Sequence, residues 1–247
     1  MSDLKMVTLR DEPNLEIPED DSWNDAFPAF LVEGDVLNCT YFPQLFDSFP
    51  SYQFLLKEGE EIVATGNTIP LYWDGTPEGL PEGYDEALLR GFTQKERKPN
   101  TLCGLSVVVN KSYRGKGISQ QGLRAMKSIA RREGFSSIII PVRPNRKSDY
   151  PLASMEQYVH WKGKEGNSPF DPWLRVHWKA GGRLIKVAPR SMICKGRITQ
   201  WEEWTGLQFP ESGEYYVPRA LQPVAINVEE DEGVYLDPNV WVQHDVE

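Results

Sequence analysis

The stretch 101–134, TLCGLSVVVNKSYRGKGISQQGLRAMKSIARREG, decides how this chain folds. Leu105, Val107, Val108 and Val109 make an apolar, largely β-branched run too short for a helix, so the stretch opens as a strand. Tyr113-Arg114-Gly115-Lys116-Gly117 then supplies a glycine turn. Behind it Ile118, Gly122, Ala125, Met126, Ile129 and Ala130 recur on one helical face, and Gly134 closes the helix after Arg131 and Arg132. The predicted unit is strand, glycine turn, helix. Such a turn aims several backbone N–H groups into one concavity. The first turn of the helix adds unpaired N–H groups and partial positive charge, and together they suit a pyrophosphate.

The charge pattern agrees. From Asn110 to Lys147 ten lysines and arginines stand against Glu133 alone, a net of +9 in a chain whose total is -9, so the remaining residues carry -18. A Walker loop needs G-x-x-x-x-G-K-[ST], which does not occur here. A dinucleotide fingerprint needs a third glycine where Gln120 stands.

What remains, Arg-Gly-Lys-Gly-Ile-Ser at 114–119, resembles the R/Q-x-x-G-x-G/A pattern of the GNAT superfamily of acyl-CoA transferases, with Ser119 where that family usually has Gly or Ala. The resemblance implies an α/β fold with a mixed, mostly antiparallel central sheet splayed between two strands and flanked by helices. It also implies that acetyl-CoA or another acyl-CoA is the co-substrate. Arg114, Gly115, Lys116, Gly117, Ile118 and Ser119 would bind the pyrophosphate of coenzyme A, and the backbone at Leu105, Val107 and Val109 would meet the pantetheine arm and thioester.

Around this unit the chain divides into an irregular acidic arm (1–28), a core (29–197) with an insertion at 145–172, and an aromatic-rich extension (198–247) expected to pack on the core, one of its short strands completing the sheet. The core reads as a broken helix over 35–49 interrupted at Pro43, strands over 52–56 and 62–71 joined at Gly59, a loop over 73–81 and a helix over 84–92. After the central helix, a strand at 136–144 carries Pro141 and Pro144. Neither has an N–H, so the sheet should open beyond Ile140. The insertion, with a helix over 153–162, reads as a substrate lid. A helix over 173–180 and a strand over 183–188 follow.

Composition narrows the class. Hydrophobic content of 40% and charged content of 26% are ordinary for a globular protein. The three cysteines, Cys39, Cys103 and Cys194, form no C-x-x-C pair, so no disulfide framework and no metal site are expected, and free thiols suit a reducing, cytoplasmic setting. No apolar run has the length of a signal or membrane-spanning segment. The acidic balance speaks against nucleic acid as a partner.

His177-Trp178-Lys179-Ala180-Gly181-Gly182 matches the spacing of the family's Y-E-K-x-G-F segment, with His177 in the tyrosine's place. The resemblance implies that His177 protonates the departing thiolate, a task that suits a side chain titrating near neutrality. The alternative is a packing histidine between Trp173 and Trp178. Asn145, after Pro144, is either a hydrogen-bond donor to the thioester or a turn former. Arg190 is either a carboxylate clamp or half of a surface ion pair. Asn67 and Trp73 are expected on the acceptor side. The reading that follows is acyl transfer, by direct attack, to a small-molecule amine. An alternative comes from a resemblance to the GNAT-like domains of polyketide synthase loading modules, which decarboxylate malonyl-CoA or pass an acyl group to a carrier protein. A silent coenzyme A-binding module is the third.

Overall fold

The computed structural model describes residues 4–13, 23, 25–164 and 166–246. Lys5–Thr8 (β1) is followed by three short helices, Ala29–Glu33 (α1), Val36–Tyr41 (α2) and Leu45–Ser48 (α3), and by the hairpin Gln53–Glu58 (β2) and Glu61–Leu71 (β3). The expected broken helix is thus two helices parted at Pro43, the first capped by the Asp35 carboxylate, which accepts from the Asn38 N–H. The arm is not wholly irregular. Its Lys5–Thr8 segment adds to the edge of β2, Val7 opposite Leu55, an alternation too short to register in the sequence. Most of the acidic run of the arm lies outside the described residues.

Helix Tyr84–Thr93 (α4) leads to Thr101–Val109 (β4), which pairs antiparallel with β3. Helix Ile118–Arg132 (α5) then carries the chain to Ser137–Val142 (β5), which lies parallel to β4. The predicted helical face is the buried one: Ile118, Gly122, Ala125, Met126, Ile129 and Ala130 all point into the core. Gly122 lets α5 lie directly on the sheet, for a Cβ there would stand 2.8 Å from a methyl of Val107.

The remaining elements are Met155–Tyr158 (α6), Pro172–Lys179 (α7), Arg183–Gly196 (β6), Ile198–Thr205 (α8), Gly213–Tyr215 (β7), Val224–Asn227 (β8) and Glu232–Asp245 (β9). The sheet runs β1-β2-β3-β4-β5-β9-β8-β7, with β6 on the other edge of β9. All of these pairs are antiparallel except β4 with β5. One core fills the face under α5 and α7; a second lies on the opposite face under α1, α4 and α8.

Three expectations change here. The insertion forms a packed corner, with less helix than expected. Its helix shrinks to α6, and Tyr150, Tyr158, Trp161 and Phe170 pack edge to face around it. Strand β6 does not stop at Ala188 but bulges over 189–191, opposite Pro238, and resumes at Met192 against Asp237. The tail completes the sheet, as expected, but with a strand of 14 residues rather than a short one. It supplies β9, which lies between β5 and β6, and the helix α8, which the sequence reading did not anticipate. Pro189 and Pro238, which have no N–H to pair, both fall at the interruption of β6. A bulge absorbs both.

Candidate active site

The site is built on a divergence of two parallel strands. β4 and β5 pair only from Thr101 to Cys103, opposite Ser137 to Ile139. Beyond that point β4 keeps β3 as its partner and β5 keeps β9 through Val142, so the edges of Gly104–Val109 and Ile140–Val142 that face each other are unpaired. The prolines act as expected on the β4 side, while Pro141 remains in register with Trp241 on the other. β4 also bends. Asn67 stands opposite Ser106 but Thr68 opposite Gly104, so Leu105 is an extra residue, a bulge. A buried polar chain pins it: Ser106 Oγ donates to Asn67 Oδ1 at 2.8 Å, Asn67 Nδ2 to Gln53 Oε1 at 3.2 Å, and Gln53 Nε2 to the Thr68 carbonyl at 3.0 Å. Asn67, expected to touch substrate, instead holds the bend.

At the open end of β4 sits the glycine turn. Gly115 and Gly117 both adopt φ +78°, a left-handed conformation that other residues avoid, and, neighbours in the chain aside, no atom of the described residues lies within 4 Å of a Cβ built at either. Gly117 caps α5 without any side-chain hydrogen bond to the first-turn N–H groups. These open N–H groups and the free space beside them fit a pyrophosphate. The flanking cations are already engaged. Asp25, from the arm, pairs with Arg114 at 2.7 Å and Lys111 at 3.1 Å, and these hydrogen bonds hold its carboxyl down at about 2. Lys116 lies over the Tyr113 ring. Arg219 donates to the Asp25 and Ala26 carbonyls, and Arg143, at the end of β5, donates to the Arg219 carbonyl. A strap from the arm therefore links the tips of the two diverging strands. The only sequence signal for it was the opposite charge of arm and turn.

His177 lies at the other end, where β4 and β5 part. It is buried, 1% exposed, on α7. Its Nδ1 is 2.9 Å from Nε2 of His244, and His244 stands opposite Ile138, one position before the last β4–β5 pair. Trp173 packs edge-on against the ring. Burial, reinforced by His244, pushes His177 down to about 3, so the imidazole is neutral at pH 7 rather than titrating near it. Its Nε2 has no hydrogen-bond partner among the described residues. His244 was invisible as a partner, being one polar residue at the end of an alternating strand.

The other candidates are scattered. Asn145 is exposed, three residues past the end of β5. The strand from Ile138 to Val142 alone spans about 13 Å, so Asn145 and His177 sit at opposite ends of β5. Trp73 is core: its indole donates to the Thr76 carbonyl and its own N–H to Asn100, closing the loop after β3. Arg190 is exposed on the β6 bulge, 3.7 Å from Glu82, the surface ion pair rather than a clamp. Among the described residues no cluster of His, Cys, Asp and Glu could hold a metal ion, and no helix is long and apolar enough to cross a membrane.

A mixed sheet that opens between two parallel strands, with a glycine turn heading the helix that joins them, defines an acyl-CoA transferase framework. Residues 18–153 match the profile of the acetyltransferase (GNAT) family, and the chain belongs to that family. It is 33% identical over 253 residues to the arginine N-acetyltransferase avaD of Aspergillus versicolor, across 90% of this chain and 86% of that protein. Among solved structures, the loading GNATL domain of CurA from Lyngbya majuscula aligns with a TM-score of 0.60 at 18% identity over 98% of each chain. The GphF GNAT-like decarboxylase in complex with isobutyryl-CoA aligns with a TM-score of 0.52 at 17% identity, over 83% of this chain and 84% of that one. These two share the fold. Family and relative together make the chain an acyl-CoA-dependent N-acyltransferase.

Proposed function

We propose that the protein transfers the acetyl group of acetyl-CoA to the amine of a small cationic acceptor of the arginine class. The observation that carries this reading is the unpaired β4 edge from Gly104 to Val109, with the glycine turn at one end and His177 at the other. Coenzyme A is long, with an anionic pyrophosphate at one end and a thioester at the other. The edge between turn and histidine offers backbone groups along that length, and the bulge at Leu105 frees backbone N–H and carbonyl groups where the thioester carbonyl would lie.

In this reading the acceptor amine attacks the thioester carbonyl directly and backbone donors of Leu105 to Val109 hold the developing oxyanion. His177, neutral in its apolar setting, gives its Nε2 proton to the departing sulfur. The acceptor class rests on the arginine N-acetyltransferase relative and on the acidic balance outside the basic island, which attracts cations. Carrier proteins, themselves acidic, are disfavoured by the same charge.

Mass spectrometry of acetyl-CoA incubated with and without arginine tests this. Acetylated arginine and free coenzyme A should form only together, and malonyl-CoA alone should stay intact. Conversion of malonyl-CoA to acetyl-CoA without acceptor, lost in His177→Ala, would replace this reading with decarboxylation.

A further inference from the structure

The proposed chemistry leaves one buried group unused. His244 stands opposite Ile138, where β4 and β5 are still paired, yet it is as buried as His177, 1% exposed, and its Nε2 faces the Nδ1 of His177 at 2.9 Å. Neither outer nitrogen of the pair, His177 Nε2 or His244 Nδ1, makes a formed hydrogen bond among the described residues, though the Ala180 carbonyl acts on the His244 ring. Buried polar atoms are nearly always bonded, so two orphans at the ends of one short chain need a reason.

The two rings form a one-dimensional proton wire. Each neutral imidazole carries one proton on its two nitrogens, and the contact between rings needs one donor and one acceptor. When His244 Nε2 donates, His177 must carry its own proton on Nε2, pointing out of the pair, and His244 Nδ1 is bare. When the bridging proton sits on His177 Nδ1, the pattern inverts. Which outer nitrogen bears a proton is therefore fixed for both rings at once.

The surroundings exclude a lasting charge on either ring. Burial pushes His177 down to about 3 and, with the Lys127 ammonium, His244 down to about 4. The charged groups that act on His244 are Lys127, from α5, and Asp245, its neighbour on β9. Trp173 from α7 walls His177, and Gly182 packs so closely that a Cβ there would meet the His244 ring at 2.7 Å. A lone histidine that gave up its proton here would be left an anion in an apolar site.

We propose that His244 is a positioning residue that donates to Nδ1 of His177, thereby keeping the His177 proton on Nε2, and that passes its bridging proton to Nδ1 as Nε2 gives its own to the sulfur. This rests on the proposed role of His177. The step balances as follows. The amine forms the new C–N bond, the C–S bond breaks, and the sulfur takes the proton from His177 Nε2. His177 Nδ1 takes the bridging proton from His244 Nε2, and His244 Nδ1 takes one from Lys127, the cation that acts on that ring and whose Nζ lies 3.4 Å from the Ala180 carbonyl, which acts on the ring too. Once the products leave, water protonates His177 Nε2, the bridging proton returns to His244 Nε2 and His244 Nδ1 gives its proton back to Lys127, while the acylated nitrogen releases its proton to water. No net charge remains on the pair.

The experiment compares kcat, acetyl-CoA KM and coenzyme A affinity in wild type, His177→Ala, His244→Leu, His244→Gln and the double variant His177→Ala/His244→Leu, with a solvent proton inventory on the active forms. His244→Leu should lower kcat roughly 10²-fold with KM and coenzyme A affinity unchanged, and the double variant should be no slower than His177→Ala. His244→Gln, which still donates but cannot relay, should recover part of that loss and reduce the inventory from several protons to one. A folded His244→Leu with kcat within twofold of wild type overturns the proposal. If His177→Ala itself leaves kcat unchanged, the role of His177 fails first. Should His244→Leu not fold, ¹⁵N chemical shifts of the wild-type histidines decide: a protonated His177 Nδ1 overturns the assignment, a bare one supports it.

Discussion

The two strands that frame the site are parallel, adjacent and held in opposite ways. β4 past Cys103 has a bent backbone pinned from behind by the Gln53-Asn67-Ser106 chain, and it ends in a turn of two left-handed glycines rimmed by exposed cations. β5 past Ile139 is straight, buried on every residue, and clasped by β9. Its tip is tied further back. Arg143 Nε lies 3.0 and 3.1 Å from the two oxygens of Asp237, which also accepts from Tyr235 and Asn239, and Asn239 accepts from Ser191 on β6. The β4 side is therefore shaped to meet a ligand and the β5 side to resist one. An opening between strands stays open only if each edge has another partner, and the two partners here, β3 and β9, come from opposite ends of the chain.

That contrast can be broken from either side, and the β4 side should give the largest effect. Gly117→Val puts a β-branched side chain at φ +78° in the space where backbone must approach phosphate. Coenzyme A binding should vanish in calorimetric titration while the melting temperature changes by only a few degrees. Undiminished affinity would remove the turn from the site.

On the β5 side the expected effect is on stability. Arg143→Met leaves the Asp237 carboxylate, wholly buried, without its cation, and removing one partner of such a pair costs about 3 kcal/mol or more. Urea unfolding should show that loss, and hydrogen exchange should locate it in β5 and β9 rather than β4. Equal loosening of both strands would deny that they are braced separately.

The brace behind β9 and β6 ends at α4, where Asp85 accepts from the Ile193 N–H and its other oxygen adjoins Asp35. Burial and the Asp35 carboxyl push Asp85 from 3.8 up to about 9, so it is protonated in the fold. The folded value is the raised one, so stability is fullest below pH 4 and is lost as pH climbs toward 9. Asp85→Asn cannot ionise and keeps both hydrogen-bonding atoms. It should match wild type near pH 5 and exceed it by on the order of 1 to 2 kcal/mol at pH 8, in denaturant titrations at the two values. A gain independent of pH would mean that Asp85 is ionised in the fold.

The sequence disclosed the β4 side almost completely and the β5 side hardly at all, for a physical reason. β4, the turn and α5 are consecutive, so their periodicity, glycines and charge are local signals, and Ile118 to Ala130 fell on the buried face as spaced. The brace of β5 comes from β9, about a hundred residues away, whose Pro238 mimics a strand break that a bulge in β6 tolerates. His177 was legible through its helix, but its partner His244 and its buried, neutral state depend on strand pairing, which local pattern does not encode. Asn67 and Trp73 read as site residues because polar and aromatic side chains after a hairpin often are. Here one secures a bulge and the other closes a loop.

The smallest expected effect concerns the contact that joins the two sides at their open ends. Asp25 neutralises Arg114 and Lys111 at the mouth of the opening, and its own carbonyl, with that of Ala26, is held by Arg219, which Arg143 ties to β5. A pyrophosphate arriving at the glycine turn must compete with that carboxylate for the same cations. Asp25→Asn keeps the shape and the carbonyl contacts with Arg219 but gives up the charge. Surface ion pairs of this exposure are weak, so coenzyme A affinity should rise by only about fivefold, with the gain shrinking as salt is raised. Arg219→Ala, which frees the strap without touching the turn, should act in the same direction and add little to Asp25→Asn, since both release one contact. If instead Asp25→Asn weakens coenzyme A, the carboxylate is ordering Arg114 for the ligand rather than competing with it, and the strap belongs to the β4 side of the site alone.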